Sequence, residues 1–68
     1  MSIEIYTRTY EFSHGRRPRG GGSWAFGPSP DAQGDDIIWV HGKTYGEAVR
    51  EAKAVARERG LDVLVVLP

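Results

Sequence analysis

The sequence contains no cysteine, so neither a disulfide framework nor a cysteine-based zinc site can stabilise it. It has only two histidines, too few ligands for a metal site built from histidine alone. No apolar run approaches the ~20 residues that cross a bilayer. For a chain of 68 residues, these absences leave side-chain packing, or association with another chain, as the sources of stability.

An excess of one charge is also missing, because nine Lys and Arg residues balance nine Asp and Glu residues. A protein that coats DNA non-specifically is basic overall, so this balance argues against that class. The charges are nevertheless clustered. Arg16, Arg17 and Arg19 fall within four positions, and three aspartates lie between positions 31 and 36. A neutral protein can therefore carry a local basic site.

The N-terminal residues, Met1 to Glu4, lack the basic and apolar regions of a secretory signal. We therefore expect a cytoplasmic protein formed by a single domain, residues 1–68. A chain of this length buries only about 60% of the surface that its unfolded form exposes. The core is accordingly small, and there is no room for a deep catalytic cleft.

Four segments have the composition of β-strands, and the first is predicted at Ile3–Phe12 because it is rich in Ile, Tyr, Thr and Phe. Alternation gives one face of this strand a row of aromatic rings around Arg8. The other three predicted strands are Ser23–Gly27, Asp36–His41 and Leu61–Leu67. The last of them is almost continuously apolar, which predicts burial on both faces or an internal position in the sheet.

One helix is predicted between Thr44 and Gly60. Thr44 and Glu47 have the spacing of a capping box, and Gly60 suits the left-handed position after the last turn, where Leu61 can pack back on the helix. Apolar residues recur between them at steps of three and four: Tyr45, Ala48, Val49, Ala52, Val55 and Ala56. Because this stripe is mostly Ala and Val, the helix should lie close to the sheet.

The order of these elements predicts an α+β fold, β-β-β-α-β, with a four-stranded mixed sheet and one helix packed on one face. A right-handed helical crossover makes the first and last strands parallel, and as neighbours they give the strand order 3-2-1-4. The opposite face would then carry part of the aromatic set: Tyr6, Tyr10, Trp24 and Trp39. Since a large exposed apolar patch usually marks an interface, we expect a homodimer through that face or through an edge strand.

The segment 14–22 is the leading candidate site, because it holds three arginines among four glycines and has aromatic residues on either side. Guanidinium groups pair with phosphates and stack on bases, and aromatic rings stack bases at roughly 1–3 kcal/mol each. Glycines let the backbone approach a ligand closely. The alternative is a flexible, solvated hairpin loop. The candidate binding residues are Tyr6, Arg8, Tyr10, His14, Arg16, Arg17, Arg19 and Trp24.

Other chemistry finds less support in the sequence. The segment is not a Walker loop, because no Gly-Lys-Ser/Thr follows its glycines, and no helix opens there as a dinucleotide fingerprint requires. His14 and His41 can transfer protons near neutral pH, but without an identified partner an ordinary polar or capping role is expected. The predicted order 3-2-1-4 with a crossover helix resembles the opening half of a ribonuclease H-like fold, which implies metal-binding acids on the first strand, the helix and the fourth strand. The acids at these places are Glu4, Glu47, Glu51 and Asp62. Their predicted positions do not converge, so we predict no catalytic residue, metal or cofactor.

The start of the predicted helix reads Gly42-x-Thr44-x-x-Glu47-Ala48-x-x-x-Ala52. This segment resembles the one that enters the helix of HicB-type antitoxins, whose N-terminal domain is a degenerate ribonuclease H-like unit. The family's nucleic-acid-binding tail has no counterpart in this sequence, and none of its binding residues carries over. The resemblance implies a non-catalytic compact domain that engages a protein partner.

Residues 15–19 with Trp24, Ala25 and Phe26 also resemble short proteins of phages and mobile elements, which include anti-CRISPR and other inhibitor proteins. The sequence as a whole predicts a small non-enzymatic binding protein that contacts nucleic acid, or a nucleic-acid-handling complex, through the Arg/Gly loop and its aromatic flanks. The alternative is a phage or mobile-element inhibitor, antitoxin-like or anti-CRISPR-like, that acts by protein–protein binding. Its contact would be the aromatic face or the acidic residues Asp31, Asp35 and Asp36.

Overall fold

The computed structural model describes residues 2–68, which form an α+β fold with a four-stranded mixed sheet, as the sequence predicts, and two α-helices. The elements are β1 (Glu4–Tyr6), α1 (Arg8–His14), β2 (Gly21–Gly27), a 3-10 turn (Gly34–Asp36), β3 (Ile38–Thr44), α2 (Tyr45–Arg59) and β4 (Val63–Val66). Within the described residues, neither helix has the length and apolar character needed to cross a membrane.

The strands lie in the order β1-β4-β2-β3. β4 runs parallel to β1 and antiparallel to β2, while β2 and β3 form an antiparallel hairpin. The parallel pairing of the first and last strands and the hairpin of the second and third are as predicted. The predicted order 3-2-1-4 differs from the observed one because β4, and not β1, is the second neighbour of β2. The resemblance of the strand order to the opening half of a ribonuclease H-like fold depended on the order 3-2-1-4, which the structure does not have.

The central place of β4 has a physical reason in its composition. Leu64, Val65 and Val66 are all buried, so both faces of this strand are covered. A continuously apolar strand is most stable at an internal position of the sheet, where both of its faces can be buried. β1 has only three residues, two of them exposed, and such a short strand suits an edge.

The first predicted strand is wrong after Tyr6, because residues 8–14 form α1. The single buried residue of this helix is Tyr10, whose ring lies 5.8 Å from that of Trp24, between centroids. Phe12, two residues later, is 92% exposed. Because a single side chain anchors the segment, the β-favouring composition of Tyr, Thr and Phe does not decide its conformation.

Local contacts fix both ends of α1. The Thr7 hydroxyl donates to the Glu11 carboxylate one turn later. At the other end, Gly15 takes the left-handed conformation and its N–H donates to Glu11 O at 2.8 Å. His14 and Gly15 therefore form a helix end of the ordinary kind, with a basic side chain in the last turn and glycine after it.

Helix α2 begins and ends as predicted. Glu47 N donates to Thr44 Oγ1 at 3.3 Å, and Thr44 N donates to Glu47 Oε1 at 3.1 Å, which completes the capping box. Leu61 N donates to Ala56 O at 2.8 Å, and Gly60 is left-handed, as in a Schellman motif. Three alanines of the predicted apolar stripe have no exposed surface: Ala48, Ala52 and Ala56. The helix therefore lies close to the sheet.

We expect Thr44→Ala to lower the free energy of unfolding by about 1 kcal/mol, because alanine cannot accept the Glu47 N–H. Hydrogen bonds from the Thr44 backbone N–H and, second, from the Thr44 hydroxyl also lower the pKa of the Glu47 carboxyl, and Thr44→Ala removes the second of them. A carboxyl with a lowered pKa in the folded state contributes stability above its unfolded pKa, and this stability is lost as the pH falls through the folded pKa. The deficit of Thr44→Ala should therefore be larger at neutral than at acid pH in urea denaturation.

The matched controls for this cap are two glutamates of the same helix. Glu47→Gln should remove the pH-dependent part of the difference, whereas Glu51→Gln, one turn further along, should leave it. Equal pH profiles for wild type and Thr44→Ala would contradict the assignment of the cap.

Side chains from both helices join one core against the sheet. Its buried residues are Ile3, Tyr10, Trp24, Phe26, Ile38, Val40, Ala48, Ala52, Ala56, Leu64 and Val66. Trp24 and Tyr10 therefore belong to the helix-covered side, which corrects their predicted place on the opposite face. Tyr6 and Trp39 do lie on that opposite face, and they are 49% and 60% exposed.

A smaller cluster covers part of the second face of the sheet. It contains Ala25, Val65 and Leu67, against which Ala32 of the connector between β2 and β3 packs. The connector lies close to the end of β2 at Gly27, where a Cβ atom would lie 2.5 Å from the Cβ atom of Ala32. Glycine at this position therefore allows the connector to rest on the sheet.

Candidate functional site

A groove of ≈ 360 Å³ runs along part of one edge of β2, and we name it the β2 groove. Within the described residues, β4 pairs with β2 at Phe26 and Gly27, and Leu67 N donates to Ala25 O at 2.8 Å. β4 does not cover the earlier part of β2, and the groove follows this uncovered edge. The side chains that matter most in its walls are Tyr10, His14, Arg16, Arg19, Trp24 and Trp39.

Two of the three clustered arginines border the β2 groove, namely Arg16 and Arg19, whereas Arg17 does not. All three side chains are exposed. Within residues 2–68, no hydrogen bond engages any of these guanidinium groups. The two groove arginines can therefore pair with an anionic ligand without first breaking a hydrogen bond inside the protein.

A chain of aromatic contacts supports the wall of the groove. The His14 ring stacks on Tyr10, with centroids 4.0 Å apart and planes inclined by 16°. Trp24 contacts Tyr10 on one side and Tyr45 of α2 on the other, and its Nε1 donates to Lys43 O at 3.1 Å. Tyr10 and Trp24 are only 8% and 5% exposed. These two rings position the groove and do not offer an open stacking surface.

Of the tyrosine and tryptophan rings that line the β2 groove, Trp39 of β3 is the exposed one. Its plane is inclined by only 3° to that of His41, with centroids 6.0 Å apart. The Nδ1 atom of His41 lies 2.9 Å from Ser23 Oγ, so this pair links β3 to β2 through side chains. Sequence reasoning placed Trp39 on an aromatic face and did not include it among the binding residues. The period of two that puts Trp39 and His41 on one face was the available signal.

The backbone beside the arginines is also open. Gly22 has φ 148°, in a region that other residues rarely adopt, and a Cβ atom there would meet no atom within 4 Å. The conformation of the chain, and not the available space, therefore favours glycine at this position. Gly20 O accepts the N–H of Tyr45 at 2.9 Å, which ties the basic segment to the first turn of α2.

The other predicted binding residues lie elsewhere. Tyr6 and Arg8 border a second, apolar groove of ≈ 590 Å³ on the second face, together with Val63, Val65 and two prolines of the connector. The Tyr6 hydroxyl donates to the Glu4 carboxylate, and this hydrogen bond raises the pKa of Tyr6. The structure thus brings together five of the eight candidates at the β2 groove: Tyr10, His14, Arg16, Arg19 and Trp24.

Two arrangements that carry chemistry in other proteins, a metal-ligand cluster and an oriented nucleophile–base pair, are incomplete among the described residues. Among residues 2–68 there is no group of three or more His, Cys, Asp or Glu side chains that could hold a metal ion. Ser23 and His41 are within hydrogen-bond distance, but no carboxylate in that range is hydrogen-bonded to His41, whose ring stacks on Trp39. A nucleophilic pair needs such a group to orient the base.

The comparisons with known proteins leave the resemblance to HicB-type antitoxins as a prediction. No family model matches the chain, and no match was found among the curated proteins or the solved structures.

Proposed function

We propose that this chain is a non-enzymatic binding protein that contacts nucleic acid through the β2 groove. The observation that carries the proposal is the pair of groove arginines, Arg16 and Arg19, whose guanidinium groups have no hydrogen-bond partner within residues 2–68. Charge-assisted hydrogen bonds from arginine to phosphate are among the stronger polar interactions in proteins, and their fork geometry suits phosphate oxygens.

Because the chain has a net charge of zero, only the arginines of the groove, and not the whole protein, attract the phosphates of a nucleic acid. Affinity from phosphate contacts falls with salt in proportion to the number of phosphates neutralised, with a slope of about −0.7 for each contact on a single strand. Two groove arginines therefore correspond to a slope of about −1.4 in a plot of log affinity against log salt. This shallow slope distinguishes a defined site from a diffuse basic surface.

We expect Arg16→Ala and Arg19→Ala each to reduce this slope by about 0.7, because each removes one phosphate contact. The measurement is the fluorescence anisotropy of a labelled single strand of about 12 nucleotides, a length within known site sizes, titrated at several salt concentrations. Arg17→Ala is the matched control. It removes the same charge from the same segment but does not border the groove, so it should keep the wild-type slope.

Two results would overturn this proposal. The first is the absence of binding at low salt. The second is an equal loss for Arg16→Ala and Arg17→Ala, because the effect would then follow total charge and not the groove. Far-UV circular dichroism of each variant verifies that the fold is intact before the comparison is made.

Protein binding is the second candidate function, favoured by the apolar groove on the second face and by the 49% exposure of Tyr6 beside it. Exposed apolar surfaces of this kind mark interaction sites. If the chain is an inhibitor of this kind, the immobilised chain should retain its protein partner after nuclease treatment. The variant Tyr6→Ala should retain less of that partner. Phe12→Ala, which removes an exposed ring outside the residues that line this groove, serves as control. Capture that is sensitive to nuclease or unchanged by Tyr6→Ala would exclude this candidate.

A further inference from the structure

We infer that Trp39, braced by His41, is a base-stacking subsite of the β2 groove, and that the ligand is therefore nucleic acid with unpaired bases. This inference rests on the proposed function and names the class of nucleic acid. It assigns the stacking role to a ring other than Tyr10 and Trp24, which are buried in the core.

The surroundings of Trp39 support this role. Trp39 borders the same groove as Arg16 and Arg19, yet it is 60% exposed. A tryptophan with this much exposed surface contributes little to the core, since much of its apolar area stays in water. An exposed π-face on the same groove as Arg16 and Arg19 suits a nucleotide, whose base can stack on the ring while its phosphate pairs with a guanidinium group.

The ring also has a parallel neighbour on its own strand before a ligand arrives. His41 lies parallel to it, 6.0 Å away between centroids, and Ser23 Oγ lies 2.9 Å from His41 Nδ1. A side chain that is already ordered loses less conformational entropy when it binds. The neighbouring His41 ring therefore reduces the conformational entropy that Trp39 loses when a base stacks on it.

The preference for unpaired bases follows from the different contacts that the arginines and the tryptophan can make. Phosphate contacts from Arg16 and Arg19 hold any polyanion and do not distinguish single strands from duplexes. A base can present its face to Trp39 only when it is not stacked within a duplex. The arginines thus provide affinity, and the tryptophan provides the preference for single strands.

The test compares three probes on the intact chain: a single-stranded oligonucleotide, the duplex of the same sequence, and inorganic polyphosphate, which has no bases. Wild type should bind the single strand more tightly than the duplex. Trp39→Ala should weaken single-strand binding roughly 5- to 150-fold, the equivalent of 1–3 kcal/mol, and leave polyphosphate binding unchanged. Trp39→Phe should recover part of the loss because phenylalanine keeps a stacking face.

The matched control is Phe12→Ala, which removes an exposed ring that does not border the β2 groove and should change no affinity. Tryptophan fluorescence gives an independent readout. The quenching caused by the single strand should disappear in Trp39→Phe, because the remaining tryptophan, Trp24, is buried. A folded state of wild-type stability in each variant is confirmed by urea denaturation.

The outcomes separate this inference from the proposed function. If wild type binds all three probes equally well and Trp39→Ala changes none of them, the subsite is wrong although the basic groove stands. If Trp39→Ala weakens polyphosphate as much as the single strand, Trp39 shapes the groove and does not stack a base, which also overturns the inference. If no probe binds, the proposed function itself fails.

Discussion

Phe26→Ala is expected to lower the free energy of unfolding by about 3–5 kcal/mol, the range for a buried phenylalanine. Phe26 has no exposed surface and lies on β2, where its neighbours across the sheet are Ile38 of β3 and Val66 of β4. Domains have stabilities near 0.05–0.15 kcal/mol per residue, or roughly 3–10 kcal/mol for this chain. The variant therefore loses about 30% or more of the total. If the wild-type stability is about 3 kcal/mol, the variant is unfolded at room temperature.

Phe12→Ala provides the matched control, because the same atoms are removed from a ring that is 92% exposed. Its effect should stay within about 0.5 kcal/mol, as for most surface substitutions. Urea denaturation followed by far-UV circular dichroism measures both variants. A large loss for Phe12→Ala, with a midpoint that rises with protein concentration, would instead mean that Phe12 is covered by a second copy of the chain in solution.

Gly27→Ala should destabilise the fold by about 1–3 kcal/mol, the usual cost of overpacking. The new Cβ atom would lie 2.5 Å from Ala32 Cβ and 3.4 Å from Leu67 Cδ1. The connector would have to move away from the sheet to relieve the first contact. That movement would expose part of the small cluster on the second face, including Val65.

The clash can be tested with a second substitution. Ala32→Gly removes the atom that Gly27→Ala would meet, so the double variant should recover part of the stability lost in the single one. A double-mutant cycle by urea denaturation should give an interaction energy of about 0.5–3 kcal/mol, as for other residues in contact. Strictly additive effects would show that the connector does not rest on Gly27 in solution.

Helix α2 was predictable because the features that determine it are close together in sequence. The capping box joins Thr44 to Glu47, and the C-terminal hydrogen bond joins Leu61 to Ala56. A helix of this length also repeats its apolar period several times, so the pattern is clear. The apolar run of β4 predicted burial on both faces or an internal position, but the predicted order 3-2-1-4 placed this strand at an edge, where the structure does not have it.

Helix α1 was missed because it is too short to show a period. It spans seven residues and buries one of them, Tyr10. Its Tyr, Thr and Phe content favours strands, but the burial of a single ring decides its conformation. The strand order was missed for a related reason, since the choice between β1 and β4 as neighbour of β2 depends on contacts between distant parts of the chain.

The candidate site was predictable only where its residues are neighbours in sequence. Arg16 and Arg19 are three residues apart in one loop and border the same groove, although Arg17 of that loop does not. Trp39 joins them only through the pairing of β2 with β3, in which Ala25 lies opposite Trp39. Tyr6 is separated from the arginines because β4 lies between β1 and β2.

The central position of β4 also affects how the chain folds. β1 pairs with β4 through Glu4 and Val63, residues that are almost the whole chain apart. Closing so long a loop is slow, because the chain loses conformational entropy before the pairing of β1 with β4 contributes any stabilisation. During synthesis, the β2–β3 hairpin can form early, while β1 must wait for a partner that emerges after all the others. We therefore expect the amides of β1 to gain protection from hydrogen exchange last during refolding, and to lose it first when the native sheet opens.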